Sequence, residues 1–201
     1  MDSLSVLAMA AAAAPRSQVP QPKAEFTIRR ARNDDLPLLG PVERSAAELF
    51  RTVNLDFLAD GPTVDESLLS AMMNSNHLWV AVNETDQPIG FAGGEGLDGN
   101  FHIAEVSVGQ DAQGKGVGKA LMEELIRQAK EEGYIAITLT TYRDLPWNGP
   151  WYRKLGFLEV QVDEMGDEYA KIWNSEAQHG HEMGLRCVMR KILSSIEQPP
   201  T

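Results

Sequence analysis

Gln113-Gly114-Lys115-Gly116-Val117-Gly118-Lys119 joins an apolar alternating run, Ile103 to Val108, to an amphipathic run that begins at Ala120. Alternation at period two reads as a strand. Leu121, Leu125, Ile126 and Ala129, with Glu123, Glu124, Arg127 and Lys130 on the other side, read as one helix with a single apolar stripe. The stretch is therefore a strand feeding a glycine-rich turn that opens a helix. With no Cβ at Gly114, Gly116 and Gly118, the backbone can come close to a bound group and point its N–H donors inward, while the helix dipole adds partial positive charge. The ligand such a turn suits is a phosphate or pyrophosphate.

Spacing separates the possible phosphate loops. A dinucleotide fingerprint needs G-x-G-x-x-G, whereas Gly114, Gly116 and Gly118 give G-x-G-x-G. A Walker loop needs G-x-x-x-x-G-K-[ST]; Gly109 to Lys115 match it, but Gly116 stands where a hydroxyl should ligate Mg²⁺, which disfavours an ATP or GTP switch. What fits is Gln/Arg-x-x-Gly-x-Gly/Ala, met by Gln113, Gly116 and Gly118 after Val108 closes the strand. In this the chain resembles the acyl-CoA loop of the GCN5-related N-acetyltransferase (GNAT) superfamily.

A second tract carries the same resemblance. After the β-rich run Ile135 to Thr140 comes Asn148-Gly149-Pro150-Trp151-Tyr152-Arg153-Lys154-Leu155-Gly156-Phe157, similar to the family's Asn-to-Gly-Phe tract in a compressed form. The longer stretch Thr140 to Pro150 resembles a branch of small GNAT proteins with an R-D-x-P-W-N-x-P-[FW]-Y element. The resemblance runs from about residue 26 to 193 and is strongest from Ile103 to Phe157.

It implies acetyl-CoA as cosubstrate and direct transfer of the acetyl group to a primary amine. The N–H groups of Gly114, Lys115, Gly116, Val117, Gly118 and Lys119 would hold the pyrophosphate, with Gln113 opening the loop. The backbone of Val106, Ser107 and Val108 would pair with the pantetheine arm like an added strand, and Asn148 would bond the same arm, although an Asn after Pro146-Trp147 is also an ordinary turn residue. Tyr152 is the candidate acid for the departing thiolate. For the base, His102 and Glu105 stand as candidates beside a water relay; in a regular strand the two point to opposite faces, and a bulge near Val106 to Val108 would reverse that parity. Glu43, Glu48, Asp56, Arg143, Asp144 and Trp147 are the side chains nearest the expected acceptor. The lead acceptor is a small-molecule amine; a protein or peptide amine, and a sensor or scaffold that binds acyl-CoA without turnover, are the alternatives.

Composition bounds the rest. A chain of 201 residues with 43% apolar content can bury one core. A formal net charge of -11 argues against nucleic acid, which is held by clustered Lys and Arg. Cys187 is the only cysteine, so no intrachain disulfide can form and it reads as a small buried hydrophobe. Nothing approaches a membrane span, and no metal is expected, since His77, His179 and His181 lack further ligands in a pattern. The expected compartment is the cytoplasm, with an organellar presequence in the alanine- and proline-rich start as the alternative; a homodimer stays open.

Along the chain, residues 1–24 read as a disordered tail, 25–194 as the N-acetyltransferase domain and 195–201 as a second tail. Within the domain the patterns predict strands at 26–29, 78–82, 89–92, 101–108, 135–140, 157–162 and 185–193. Helices are predicted from Asn33 or Asp34 to Phe50, from Asp65 or Ser67 to Met73, from the glycine turn to Gly133, over 150–155 and over 167–182. The expected fold class is mixed α/β, a GNAT acyl-CoA N-acyltransferase fold with a central mixed sheet of about seven strands flanked by helices.

Overall fold

The computed structural model describes residues 25–178 and 181–193, so the two expected tails and His179 lie outside the described residues. Seven strands, β1 (Thr27–Arg30), β2 (Leu78–Val82), β3 (Pro88–Leu97), β4 (Asn100–Val108), β5 (Ala136–Tyr142), β6 (Leu158–Val160) and β7 (Arg186–Ile192), form one sheet in the order β1-β2-β3-β4-β5-β7-β6. Every neighbouring pair is antiparallel except β4 with β5. The helices are α1 (Leu36–Ala47), α2 (Asp56–Asp60), α3 (Glu66–Asn74), α4 (Val117–Glu131), α5 (Gly149–Lys154) and α6 (Asp167–Gln178).

Both faces of the sheet are buried, which is why β2, Leu78-Trp79-Val80-Ala81-Val82, is apolar at every position. Its odd-numbered residues join Ala92, Phe101, Ile103, Leu121, Leu125, Ile137, Leu139 and Phe157 in a core under α4 and α5. Its even-numbered residues join Leu36, Leu39, Leu69, Met72 and Phe91 in a second core under α1 and α3. At roughly 25 cal/mol per Å² of apolar surface removed from water, these two layers are the main favourable contribution to folding.

Several expectations change at the edges of elements. The apolar pattern to Phe50 predicts one helix, but α1 stops at Ala47 and tightens into 3₁₀ turns over Glu48–Val53, ended by Asn54 in the left-handed region (φ 59°). The short α2 follows, a helix too brief to leave a periodic signature. Asp65, not Ser67, caps α3, its carboxylate accepting from the Ser67 amide at 2.7 Å. The glycine-rich end of β3 remains in the sheet to Leu97, and α6 is described over Asp167–Gln178, within the predicted 167–182. Asp98, in the β3–β4 hairpin, caps α6 from a distance by accepting from the Tyr169 amide at 2.8 Å and the Glu168 amide at 3.3 Å.

Candidate active site

β4 and β5 pair at only two positions, Phe101 with Ile137 and His102 with Thr138. Beyond them β4 stays with β3, through Val106 opposite Ala92, Ser107 opposite Phe91 and Val108 opposite Gly90, while β5 follows β7. The sheet therefore splits, leaving the β5-facing edge of Val106, Ser107 and Val108 without a partner strand among the described residues. Unpaired backbone on such an edge is a template for an extended ligand.

Above the split lies the glycine turn. Gly116 is the N-cap of α4 with φ 87°, a conformation that favours glycine, and among the described residues no side chain caps the helix. The Gln113 amide group donates to the Val108 carbonyl at 3.0 Å, fixing the turn to the end of β4. Among the described residues no backbone carbonyl accepts from the amides of residues 114 to 119, so these donors converge at the positive end of a helix of 15 residues. Lys115 and Lys119 are exposed, within 3.7 Å of Glu25 and 3.4 Å of Glu123.

Asn148 opens α5 with its carbonyl, accepting from the amides of Trp151 at 2.9 Å and Tyr152 at 3.0 Å. Its Nδ2 donates to Thr141 Oγ1 at 2.9 Å, but its Oδ1 is buried with no partner among the described residues. A buried acceptor left unmade is costly, so this atom marks a place for a donor from a ligand. The open strand edge, the free turn amides and this carboxamide oxygen together suit a diphosphate joined to an amide-bearing arm.

Tyr152 is buried beside Trp151 and Phe157, and its hydroxyl has no hydrogen-bond partner among the described residues. Burial, and then the nearby charge of Glu105, push the phenol well above its ordinary value, so it keeps its proton throughout the working pH range.

The pleat parity expected for His102 and Glu105 is overturned. Gly93 lies opposite Glu105 and Gly94 opposite Ile103, which leaves Ala104 unopposed: the bulge sits between the two candidates rather than at 106–108. Ile103, Val106 and Val108 join the core under α4, and Ala104 joins the core under α1, so the extra residue brings His102 and Glu105 to the same face. They differ in depth. His102 stands at the last β4–β5 pair, buried, edge-on to the Tyr169 ring with centroids 5.0 Å apart and its Nδ1 3.4 Å from Thr138 Oγ1. Burial lowers its imidazole to about 4, so it is neutral at physiological pH. Glu105 stands on the parted stretch, accepts from the Ser107 hydroxyl at 2.8 Å, and has its carboxyl raised by burial.

Of the acceptor-side residues picked from the sequence, Glu43 lies near enough to Glu105 for their charges to interact. Its carboxylate accepts from the Val64 amide at 2.9 Å and 3.1 Å, and burial, then the charge of Glu105, raise it to about 7. Glu48 and Asp56 instead bind Arg51, and Arg143 binds Glu159. Trp147 packs on Phe50 with centroids 6.1 Å apart. Pattern reading missed Arg186, buried between β5 and α6, where it is held by both oxygens of Glu176 at 2.9 Å with its guanidinium 5.1 Å from the Tyr142 ring centre. Only its place in the alternation of β7 hinted at burial. His77 binds Glu132 at 2.9 Å, and Cys187 is a buried thiol raised to about 11 chiefly by burial. Among the described residues no three His, Cys, Asp or Glu side chains gather as a metal site.

A split mixed sheet with an anion-binding turn at its mouth is the architecture of an acyl-CoA-dependent acyltransferase. The sequence matches the Acetyltransferase (GNAT) family over residues 46–157, and the chain belongs to that family. It is similar to the peptidyl-lysine N-acetyltransferase YjaB of Escherichia coli (strain K12), 32% identical over 150 residues that cover 72% of this chain and 92% of the relative. In fold it is similar to a GNAT acetyltransferase from Staphylococcus aureus Mu50, with a TM-score of 0.62 at 17% identity over 84% of this chain and 99% of that one. A PaiA N-acetyltransferase from Thermoplasma acidophilum in complex with coenzyme A is comparably similar, with a TM-score of 0.63 at 17% identity over 83% and 98% of the two chains. The chain is an acetyl-CoA-dependent N-acetyltransferase.

Proposed function

We propose that this enzyme acetylates the ε-amine of a lysine side chain in a peptide or protein. The observation that carries the chemistry is the pair Glu105 on the parted stretch of β4 and Tyr152 on α5 beyond the split, one a carboxyl raised by burial, the other a phenol that holds its proton. The name of the YjaB relative supports the lysine acceptor.

Acetyl-CoA supplies the activated acetyl group. The amides of residues 114 to 119 hold its diphosphate, the open edge of Val106 to Val108 and Asn148 Oδ1 align its arm, and Tyr152 keeps a proton at Oη for the leaving sulfur. Glu105 takes a proton from the acceptor's ammonium, which frees the nitrogen lone pair. Overall an ammonium and a thioester become an amide, a thiol and one released proton. His102, neutral and fixed at the base of the split, takes no part in this transfer.

Thiol release from acetyl-CoA, followed with lysine-bearing peptides, the same peptides with the lysine replaced by arginine, and small primary amines, tests the reading. Turnover that disappears with the lysine supports it. Turnover confined to small amines moves the acceptor to the small-molecule class expected from the sequence. Coenzyme A binding without turnover on any amine supports a sensor.

A further inference from the structure

We infer that Glu43 is a second carboxylate of the proton-accepting machinery, so that the acceptor's ammonium is received by Glu43 and Glu105 together. This rests on the assignment of Glu105 as the base. α1 packs against β3 and β4, and the bulge at Ala104 turns Glu105 toward the face that α1 covers. Glu43 follows Leu36 and Leu39 at helical spacing, on the buried side of α1 where an unpaired carboxylate has no packing purpose. Both of its oxygens accept from the Val64 amide in the α2–α3 connection, which fixes the carboxylate in place.

The charges around the pair leave it needing a cation. Arg44, exposed next to Glu43 on α1, and Arg186 on β7, bound to Glu176, each lower their nearer carboxyl, but less than burial raises it. Ser107 donates to Glu105, and the Tyr152 phenol, near enough to be raised by the charge of Glu105, stays neutral. Among the described residues no Lys, Arg or His forms an ion pair with Glu43 or Glu105. Two neighbouring half-buried carboxylates in that situation retain one proton between them near neutral pH. An arriving ammonium displaces that proton to solvent, meets two negative charges, and then passes one of its own protons to Glu105. Glu43 thus contacts the substrate: it holds the ammonium and sets the pH at which the pair is ready, while Glu105 takes the proton.

The test is Glu43→Gln, whose side-chain oxygen still accepts from the Val64 amide and so preserves the anchor. Steady-state kinetics on a lysine peptide across pH should show the acid limb of kcat/KM moving to lower pH by about one unit, because the second titration is gone. KM for the peptide should rise about 10-fold, because one charged acceptor of the ammonium is lost. An unchanged limb with an unchanged KM overturns the inference, since loss of packing alone moves neither in this way. Carboxyl ¹³C NMR of the free enzyme, glutamate-labelled, decides the pair without any acceptor. One signal titrating near neutrality, lost in Glu43→Gln and moved to lower pH in Glu105→Gln, supports it; two independent titrations in the ordinary range near about 4.3 overturn it. If no amine is turned over, the lysine reading falls while the titration still decides whether the two carboxylates share a proton.

Discussion

At the scale of single residues, the site separates groups by what burial does to their protons. Tyr152 is raised and stays protonated, so Tyr152→Phe removes a proton donor while keeping the ring between Trp151 and Phe157. The expected result is a fall in kcat of about 10²-fold or more with coenzyme A affinity unchanged; wild-type turnover would remove the phenol from the chemistry. His102 moves the other way. Its imidazole is held neutral to about 4, against 6.5 when exposed, so between those two pH values the unfolded chain binds the proton more readily than the folded one. Stability is therefore undiminished above the unfolded value and is lost as pH falls from 6.5 toward 4, by up to roughly 3 kcal/mol. Urea unfolding at neutral pH and near pH 4.5 should show this slope in the wild type and a shallower one in His102→Leu; equal slopes would refute it. Glu43 shows how little of such detail a pattern carries. Its identity and its place on the apolar side of α1 are visible in the sequence, but its neighbour Glu105 lies on a strand far along the chain, and only the folded sheet brings them together.

At the scale of elements, the glycine turn and the Asn148 tract were legible because each combines a period change with residues that backbone geometry demands. The bulge was not. Ala104 looks like any position in an alternating strand, and the signal lies on the opposite strand, in Gly93-Gly94. A Cβ on Gly94 would lie 2.2 Å from the His102 carbonyl oxygen and 2.6 Å from the Phe101 ring, so the kinked backbone and its partner need that glycine. Gly94→Ala must push the two strands apart at the point that decides which way Glu105 faces. We expect a loss of about 1–3 kcal/mol in denaturant unfolding, together with loss of turnover in the fraction that remains folded. Unaltered stability would mean that β3 and β4 do not approach as closely as described. The ends of α1 and the presence of α2 escaped prediction for another reason: 3₁₀ turns and a helix of five residues carry no sustained period, and tertiary contacts decide them.

At the scale of the molecule, the seven strands and their places along the chain are legible as apolar and alternating runs, but their order across the sheet and the split are not. β4 and β5 are both good strands in sequence, and nothing local says that they part after two pairs. The parting comes from their other partners, β3 holding one and β7 the other, and it leaves backbone groups of β4 unpaired in the middle of an otherwise continuous sheet. A ligand that occupies that gap does for the sheet what a missing strand would do, so binding and stability are linked. At a coenzyme A concentration about 100-fold above its dissociation constant, the folded state gains about 2.7 kcal/mol. For a domain of this size that raises Tm by roughly 5–10 °C. Hydrogen exchange should slow at residues 106–108 and in the first turn of α4, with little change in β1 and β2, which lie on the far side of the sheet. A Tm that does not move with coenzyme A, or protection confined to surfaces away from the split, would place the ligand elsewhere and detach Glu105 and Tyr152 from the reaction.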